Sequence, residues 1–151
     1  MENQLVKLKM AITATVAAVG MLLGWRGIMA VVWISMMMLD YITGSMAAKK
    51  VNEWSSAAAR EGIWHKMGML VVVIVAAVAD AVLSLICAQL PGMGIEWPVL
   101  ALPLILTWYI LTEMGSILEN AVKMGANVPT WLIRGLKIAR DKVEDRVNPK
   151  Q

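Results

Sequence analysis

Apolar residues occur in long blocks along the chain, and short polar stretches separate them. The blocks cover about residues 8–24, 28–48, 67–90 and 97–113. A soluble helix bundle would instead alternate apolar and polar residues at a period of about 3.6. Because about 20 apolar residues cross the hydrocarbon core, the pattern predicts an all-α, multi-pass membrane protein. Four transmembrane helices are expected, or three if the first two blocks do not both cross.

The first block has a competing interpretation, because a basic start and a short apolar run also fit a cleaved signal peptide. Trp25, Arg26 and Gly27 follow it without an A-x-A-like cleavage site, which favours a span that ends in a turn at 25–27. Gly20 and Gly24 form a G-x-x-x-G pair inside it, a weak indication of helix packing.

The later connections are predicted from their polar residues and helix breakers. In the stretch 49–66, Ser55 or Ser56 is expected to cap a short helix, Ala57 to Trp64, lying along the membrane surface. A turn at 91–96 precedes the fourth block, where Pro103 is expected to introduce a kink.

The end of the chain is polar and basic. Residues 1–126 are therefore interpreted as the transmembrane domain and 127–151 as a cytoplasmic tail. Pro129 stands where a helix would begin. One apolar stripe then follows at helical spacing: Leu132, Leu136, Ala139, Val143 and Val147. The tail is predicted to be an amphipathic helix.

Basic residues decide the predicted orientation. Lysine and arginine are frequent before the first block, in 49–66 and in the tail, whereas 91–96 has none. The positive-inside rule then places both termini in the cytoplasm, with Arg26 as a mild exception.

Two carboxylates are the strongest candidates for function. Asp40 and Asp80 lie near the middle of the second and third blocks, where a charged side chain costs about 2.5–3.5 kcal/mol. No basic residue is expected at the same depth. Each is therefore protonated, hydrogen-bonded to another helix or exposed to a water-filled cavity.

Both carboxylates share a helix face with small or polar residues. Asp40 lies on the face of Trp33, Met36, Thr43, Gly44 and Ala47, and Asp80 on that of Ala76, Ala77, Ser84 and Cys87. These faces are packing seams, or they line a common lumen in an oligomer, or they relay protons or ions. The candidate positions are Asp40, Gly44, Asp80 and Ser84. If both carboxylates lay at one depth, their titrations would be coupled.

Composition argues against other classes. The chain is 59% hydrophobic with a net charge of +3, but its basic residues flank the apolar blocks and form no single patch for nucleic acid. Cys87 is the only cysteine, and His65 has no second ligand at metal-binding spacing. Catalytic and phosphate-binding motifs are missing from the sequence, so neither an enzyme nor a cofactor is predicted.

Three stretches resemble one known family, the phage holins of the toxin-secretion and lysis type. They are LDYITGSMAAKK at 39–50, WSSAAAREGIWHKMG at 54–68 and EMGSILENAVKMGANVPTWL at 113–132, and the resemblance covers roughly 36–140. The positions that match the family's motifs are Asp40, Gly44, Ser55, Gly62, Lys66, Glu119, Asn120, Gly125 and Pro129.

The resemblance implies a small homo-oligomeric protein of the bacterial cytoplasmic membrane. Such a protein would assemble in the lipid bilayer into lesions that release an endolysin or a large toxin, and so time host lysis. Two rival hypotheses stay open: a small proton or cation channel or transporter using Asp40 and Asp80, and a membrane anchor whose basic tail binds a soluble partner.

Overall fold

The computed structural model describes residues 2–90, 98 and 100–147. Its four helices are α1 (Glu2–Lys50), α2 (Ser56–Gln89), α3 (Ala101–Lys123) and α4 (Thr130–Val147), and the described residues contain no strand. The predicted all-α architecture with a C-terminal amphipathic helix is confirmed.

Among the described residues, three helices are long and apolar enough to cross a membrane: Gly24–Lys50, Ser56–Gln89 and Ala101–Lys123. They correspond to the second, third and fourth predicted blocks. Much of the first predicted span, about 8–24, lies outside the residues whose side chains are described. A fourth span therefore stays a prediction.

The chain breaks its helix at Gly24. This residue has φ 65 and ψ −165, inside what is otherwise continuous helix from Glu2 to Lys50. Glycine has no Cβ and adopts a positive φ at little cost. The predicted turn at 25–27 is therefore wrong, because those residues are helical and the break comes just before them.

The connection between α1 and α2 is shorter than predicted. Asn52, at φ 58, ends α1 in a Schellman arrangement in which the Glu53 N–H donates to the Ala48 carbonyl at 2.9 Å. Ser55 caps α2, its hydroxyl accepting from the Ala58 N–H at 3.1 Å. The capping role of Ser55 is confirmed. The separate surface helix is not, because Ala57 to Trp64 form the first turns of the 34-residue α2.

The third span begins and ends later than the fourth apolar block. Pro103 lies in the first turn of α3, where no intrahelical N–H is required, so the expected kink is absent. The helix continues to Lys123 instead of ending near Glu113. Gly125, at φ 91, completes a Schellman motif in which the Ala126 N–H donates to the Ala121 carbonyl at 2.9 Å.

The helix α3 is the centre of the fold, because α1, α2 and α4 all pack against it. Its residues Leu106 and Tyr109 meet Trp33 of α1 and Met69 and Val73 of α2 in the apolar core. The Trp33 and Tyr109 rings stack with centroids 5.8 Å apart. The direct contact between α1 and α2 is small.

The helix α4 folds back along α3 in the antiparallel sense. Leu136 and Arg140 share a cavity with Thr112 and Gly115. Farther along, Val143 and Glu144 share another with the stretch 104–109. The predicted stripe faces α3, since Leu132, Leu136, Ala139 and Val143 are half-buried while most of their neighbours are exposed.

Replacing Gly125 by alanine is expected to destabilise the protein. An alanine there would have to adopt the left-handed φ of Gly125, at a cost of about 1–2 kcal/mol. Its Cβ would also lie 3.0 Å from the Lys50 Nζ. Denaturant unfolding in detergent measures the loss. The control is Gly135→Ala, a helical position with open space around it, which should keep or raise stability because alanine favours helix. Equal losses in both variants would contradict this role for Gly125.

Candidate functional site

A lysine lies between two carboxylates at the junction of the three spans. The Nζ of Lys66 on α2 lies 3.0 Å from the Oδ2 of Asp40 on α1 and 2.7 Å from the Oε2 of Glu113 on α3. The side chains are 16%, 19% and 5% exposed, respectively. We call Asp40, Lys66 and Glu113 the charge cluster. It joins all three helices at one point.

An amide extends the charge cluster toward the end of α3. The Nδ2 of Asn120 donates to the Oδ1 of Asp40 at 3.0 Å and to the Thr43 hydroxyl at 3.2 Å. Gly44 leaves room for it, because a Cβ at this position would lie 3.4 Å from the amide nitrogen. Asp40 therefore has partners on both of its carboxylate oxygens.

The charge cluster carries two potential negative charges and one positive charge. With all three groups ionised its net charge is −1, in surroundings where opposite charges attract more strongly than in water. Taking any one of these charges out of water without a partner is expensive. Lys66 therefore stabilises both carboxylates, which repel each other, and the removal of Lys66 would leave both without a counter-ion.

The prediction that Asp40 has no cation at its depth is wrong. The polar stretch 49–66 places Lys66 in a surface connection, but α2 begins at Ser56, so Lys66 lies about 15 Å along the axis of this helix. Glu113, which the sequence places at a membrane interface, is buried and lies in the middle of α3. Its signal in the sequence was a lone carboxylate between the apolar residues Leu111 and Met114.

Asp80 lies at the other end of α3. It is 4% exposed, and its two oxygens accept from the Ala101 N–H at 3.1 Å and the Leu102 N–H at 2.9 Å. This carboxylate caps the free N–H groups at the start of α3 from a neighbouring helix. Ser84, one turn later on α2, is half-buried.

The two aspartates do not form a pair within one copy of the chain. Asp80 contacts Ala101, whereas Asp40 contacts Lys66 and Asn120, and the 14 helical steps from Lys66 to Asp80 on α2 correspond to about 21 Å. The condition for coupled titration, a common depth, is not met.

Five of the predicted motif positions line one open groove of about 190 Å³ between α1 and α2. They are Asp40, Gly44, Ser55, Gly62 and Lys66. The remaining positions lie apart from it. Asn120 contacts Asp40 from α3, the exposed Glu119 faces α4 beside Lys137 and Arg140, Gly125 ends α3, and Pro129 directly precedes α4.

The family described as the bacteriophage holin family matches residues 17–141, which include the charge cluster, the groove and the capping carboxylate Asp80. The chain belongs to the bacteriophage holin family. Family membership and the three apolar helices together establish a holin-like membrane protein, and the family suggests a non-enzymatic one.

Relatives of this holin-family protein occur in several bacteria. An uncharacterized protein of Halalkalibacterium halodurans is 32% identical over 88% of this chain and 93% of its own length. An uncharacterized protein of Listeria innocua is 30% identical over 83% of this chain and 81% of its own. An uncharacterized 14.9 kDa protein of Clostridium perfringens is 34% identical over 69% of this chain and 70% of its own. No solved structure matches the chain.

Replacing Lys66 by methionine is expected to destabilise this holin-family protein by about 3–5 kcal/mol, because the buried Glu113 and the half-buried Asp40 lose their counter-ion. The measurement is denaturant unfolding in detergent. Arg60→Met on the exposed part of the same helix is the matched control and should have little effect. Adding Asp40→Asn and Glu113→Gln to Lys66→Met should recover much of the loss. Equal effects of the Lys66 and Arg60 changes would refute the charge cluster.

Replacing Asp80 by alanine is expected to cost about 1–3 kcal/mol, since the Ala101 and Leu102 N–H groups lose a buried acceptor. Asp80→Asn keeps one acceptor oxygen and should cost less. The comparison is Ser84→Ala, one turn away, in the same unfolding assay. A loss at Ser84 as large as the loss at Asp80 would argue against the capping role.

Proposed function

We propose that this protein is a working holin, which oligomerises in the bacterial cytoplasmic membrane and forms lesions that release an endolysin or a large toxin. The observation that carries the proposal is the family match over residues 17–141, which covers all three apolar helices. The partner enzyme would act on the cell wall, and the holin would set the time of lysis by the moment at which it assembles.

The exposed surface of a single copy supports assembly. The outer face of α2 is apolar along most of its length, with exposed residues Val71, Val75, Val78, Val82 and Leu85. In a bilayer this face meets lipid or another copy of the chain. A helix with a small and apolar outer face can exchange its contact with lipid for a contact with another copy at a modest cost in free energy.

The charge cluster stabilises the compact packing of the three spans before assembly. Attraction between charges varies inversely with the dielectric constant, so the Lys66 ion pairs hold α1, α2 and α3 together most strongly in dry surroundings. In a hydrated lesion the same pairs weaken, because water solvates each charge. Water entry would therefore loosen the contact between the spans and favour further opening.

The rival hypotheses predict different permeability. A proton or cation relay through Asp40 and Asp80 finds less support now, since Asp80 lies about 21 Å along α2 from Lys66, the partner of Asp40, and Asp80 binds backbone N–H groups. An anchor for a soluble partner would cause no leakage. Both would leave large cytoplasmic proteins inside the cell.

Inducible expression in a bacterium, with and without a cytoplasmic endolysin, tests the proposal. Turbidity and the escape of a folded cytoplasmic reporter are followed together. Abrupt endolysin-dependent lysis with reporter release is the expected result. Ion leakage without protein escape would contradict the holin proposal and favour a channel or transporter. Unchanged permeability would contradict it and favour a membrane anchor.

Variants of the charge cluster should move the time of lysis in opposite directions. Lys66→Met destabilises the resting packing and is expected to advance the onset. Asp40→Asn removes the excess negative charge, keeps the Lys66–Glu113 pair and the amide contact to Asn120, and is expected to delay it. Arg60→Met is the control and should keep the wild-type onset at equal protein abundance by immunoblot. If all three variants lyse at the wild-type time, the charge cluster has no part in timing.

A further inference from the structure

The packing of α4 along α3 would place α4 inside the bilayer if α3 crosses it. The half-buried stripe of α4 lies against α3 over the stretch from Glu119 to Leu104. The fifteen helical steps between them correspond to about 22 Å, most of the roughly 30 Å hydrocarbon thickness. If α3 crosses the bilayer, α4 in this position lies beside it at membrane depth.

The charged residues of α4 are unsuited to that depth. Six of them are exposed: Arg134, Lys137, Asp141, Lys142, Glu144 and Asp145. A charged side chain near the bilayer centre costs about 2.5–3.5 kcal/mol even where snorkelling helps. Because several are present on one 18-residue helix, a copy of the chain surrounded by lipid cannot keep α4 on α3.

The connection between the two helices allows α4 to move away. It consists of Met124 to Pro129, including Gly125 at φ 91, and contains no helix. The Lys50 ammonium donates to the Met124 carbonyl, so the connection emerges beside the basic end of α1. After leaving α3, α4 would find the membrane surface at the same side.

The apolar stripe of α4 needs a new cover there, and its charges suit a lipid headgroup region. The helix has five basic residues, Arg134, Lys137, Arg140, Lys142 and Arg146, and three acidic residues, Asp141, Glu144 and Asp145, for a net charge of +2. A cationic amphipathic helix lies in the plane of an anionic interface, with its apolar face among the acyl chains.

We propose that α4 has two alternative covers for one apolar stripe: α3 in the compact chain, and an anionic membrane surface once α3 spans the bilayer. The stripe Leu132, Leu136, Ala139 and Val143 then enters the headgroup boundary, and the basic residues face lipid phosphates. This inference does not depend on lysis, since it concerns any membrane-inserted copy.

A distance between spin labels distinguishes the two positions in the full chain. The labels are placed by Leu100→Cys and Asp145→Cys, both exposed, with Cys87→Ser. In the compact chain the start of α3 lies close to the end of α4, so a short distance is expected in detergent. In phosphatidylglycerol vesicles the distance is expected to exceed about 30 Å, because α3 itself separates the labels across the bilayer. A control pair, Leu100→Cys with Val82→Cys, should not change. A short Leu100–Asp145 distance in the vesicles would overturn the proposal.

Single labels then test the lipid contact. In phosphatidylglycerol vesicles, a label at Leu136→Cys is expected to be accessible to oxygen and shielded from a water-soluble relaxation reagent, whereas one at Ile138→Cys, on the exposed face, shows the reverse. Neutral phosphatidylcholine vesicles or high salt should return the Leu136 label to water. Water exposure of both labels in the anionic vesicles, or identical burial of the Leu136 label in neutral ones, would refute an anionic surface as the cover.

Discussion

The ion pairs of Lys66 with Asp40 and Glu113 are the contact on which the arrangement of the three spans depends. The direct contact between α1 and α2 is small, so their relative position is set by α3 and by this lysine. Each of the three charges would be costly if it were buried alone. Together they form a site that is stable only when all three helices are in place.

Asp80 supplies a second fixed point at the opposite end of α3. It binds the first N–H groups of the helix from α2, whereas Asn120 near the other end binds Asp40 of α1. Apolar packing between Trp33, Leu106 and Tyr109 fills the space between these points. Apolar contacts are not directional and permit sliding. The two carboxylates therefore determine the register of α3 against its neighbours.

Hydropathy was sufficient to locate the apolar helices, but not to place their ends. Residues Lys66 and Glu113 looked like the borders of spans because a hydropathy scale assigns each charge its cost in isolation. Their mutual contact removes that cost, and both helices extend past them. Gly44 and Asn120 are 76 residues apart in sequence and come into contact only in the folded chain, so no local sequence pattern predicts their contact. Only the family resemblance named both positions. By contrast, the cap at Ser55 follows from local backbone chemistry, which a sequence does express.

The polar contacts that fix α3 share one weakness, and it bears on how a holin lesion would open. Water competes for the N–H groups that Asp80 accepts, just as it solvates Lys66, Asp40 and Glu113. Both ends of α3 therefore lose their hold under the same condition, the arrival of water at the helix contacts. Apolar packing alone would respond differently, because water strengthens the association of apolar surfaces. On the proposed function, a bundle that is fixed by buried polar contacts is stable while dry and opens cooperatively once hydration begins, which is the behaviour that abrupt lysis requires.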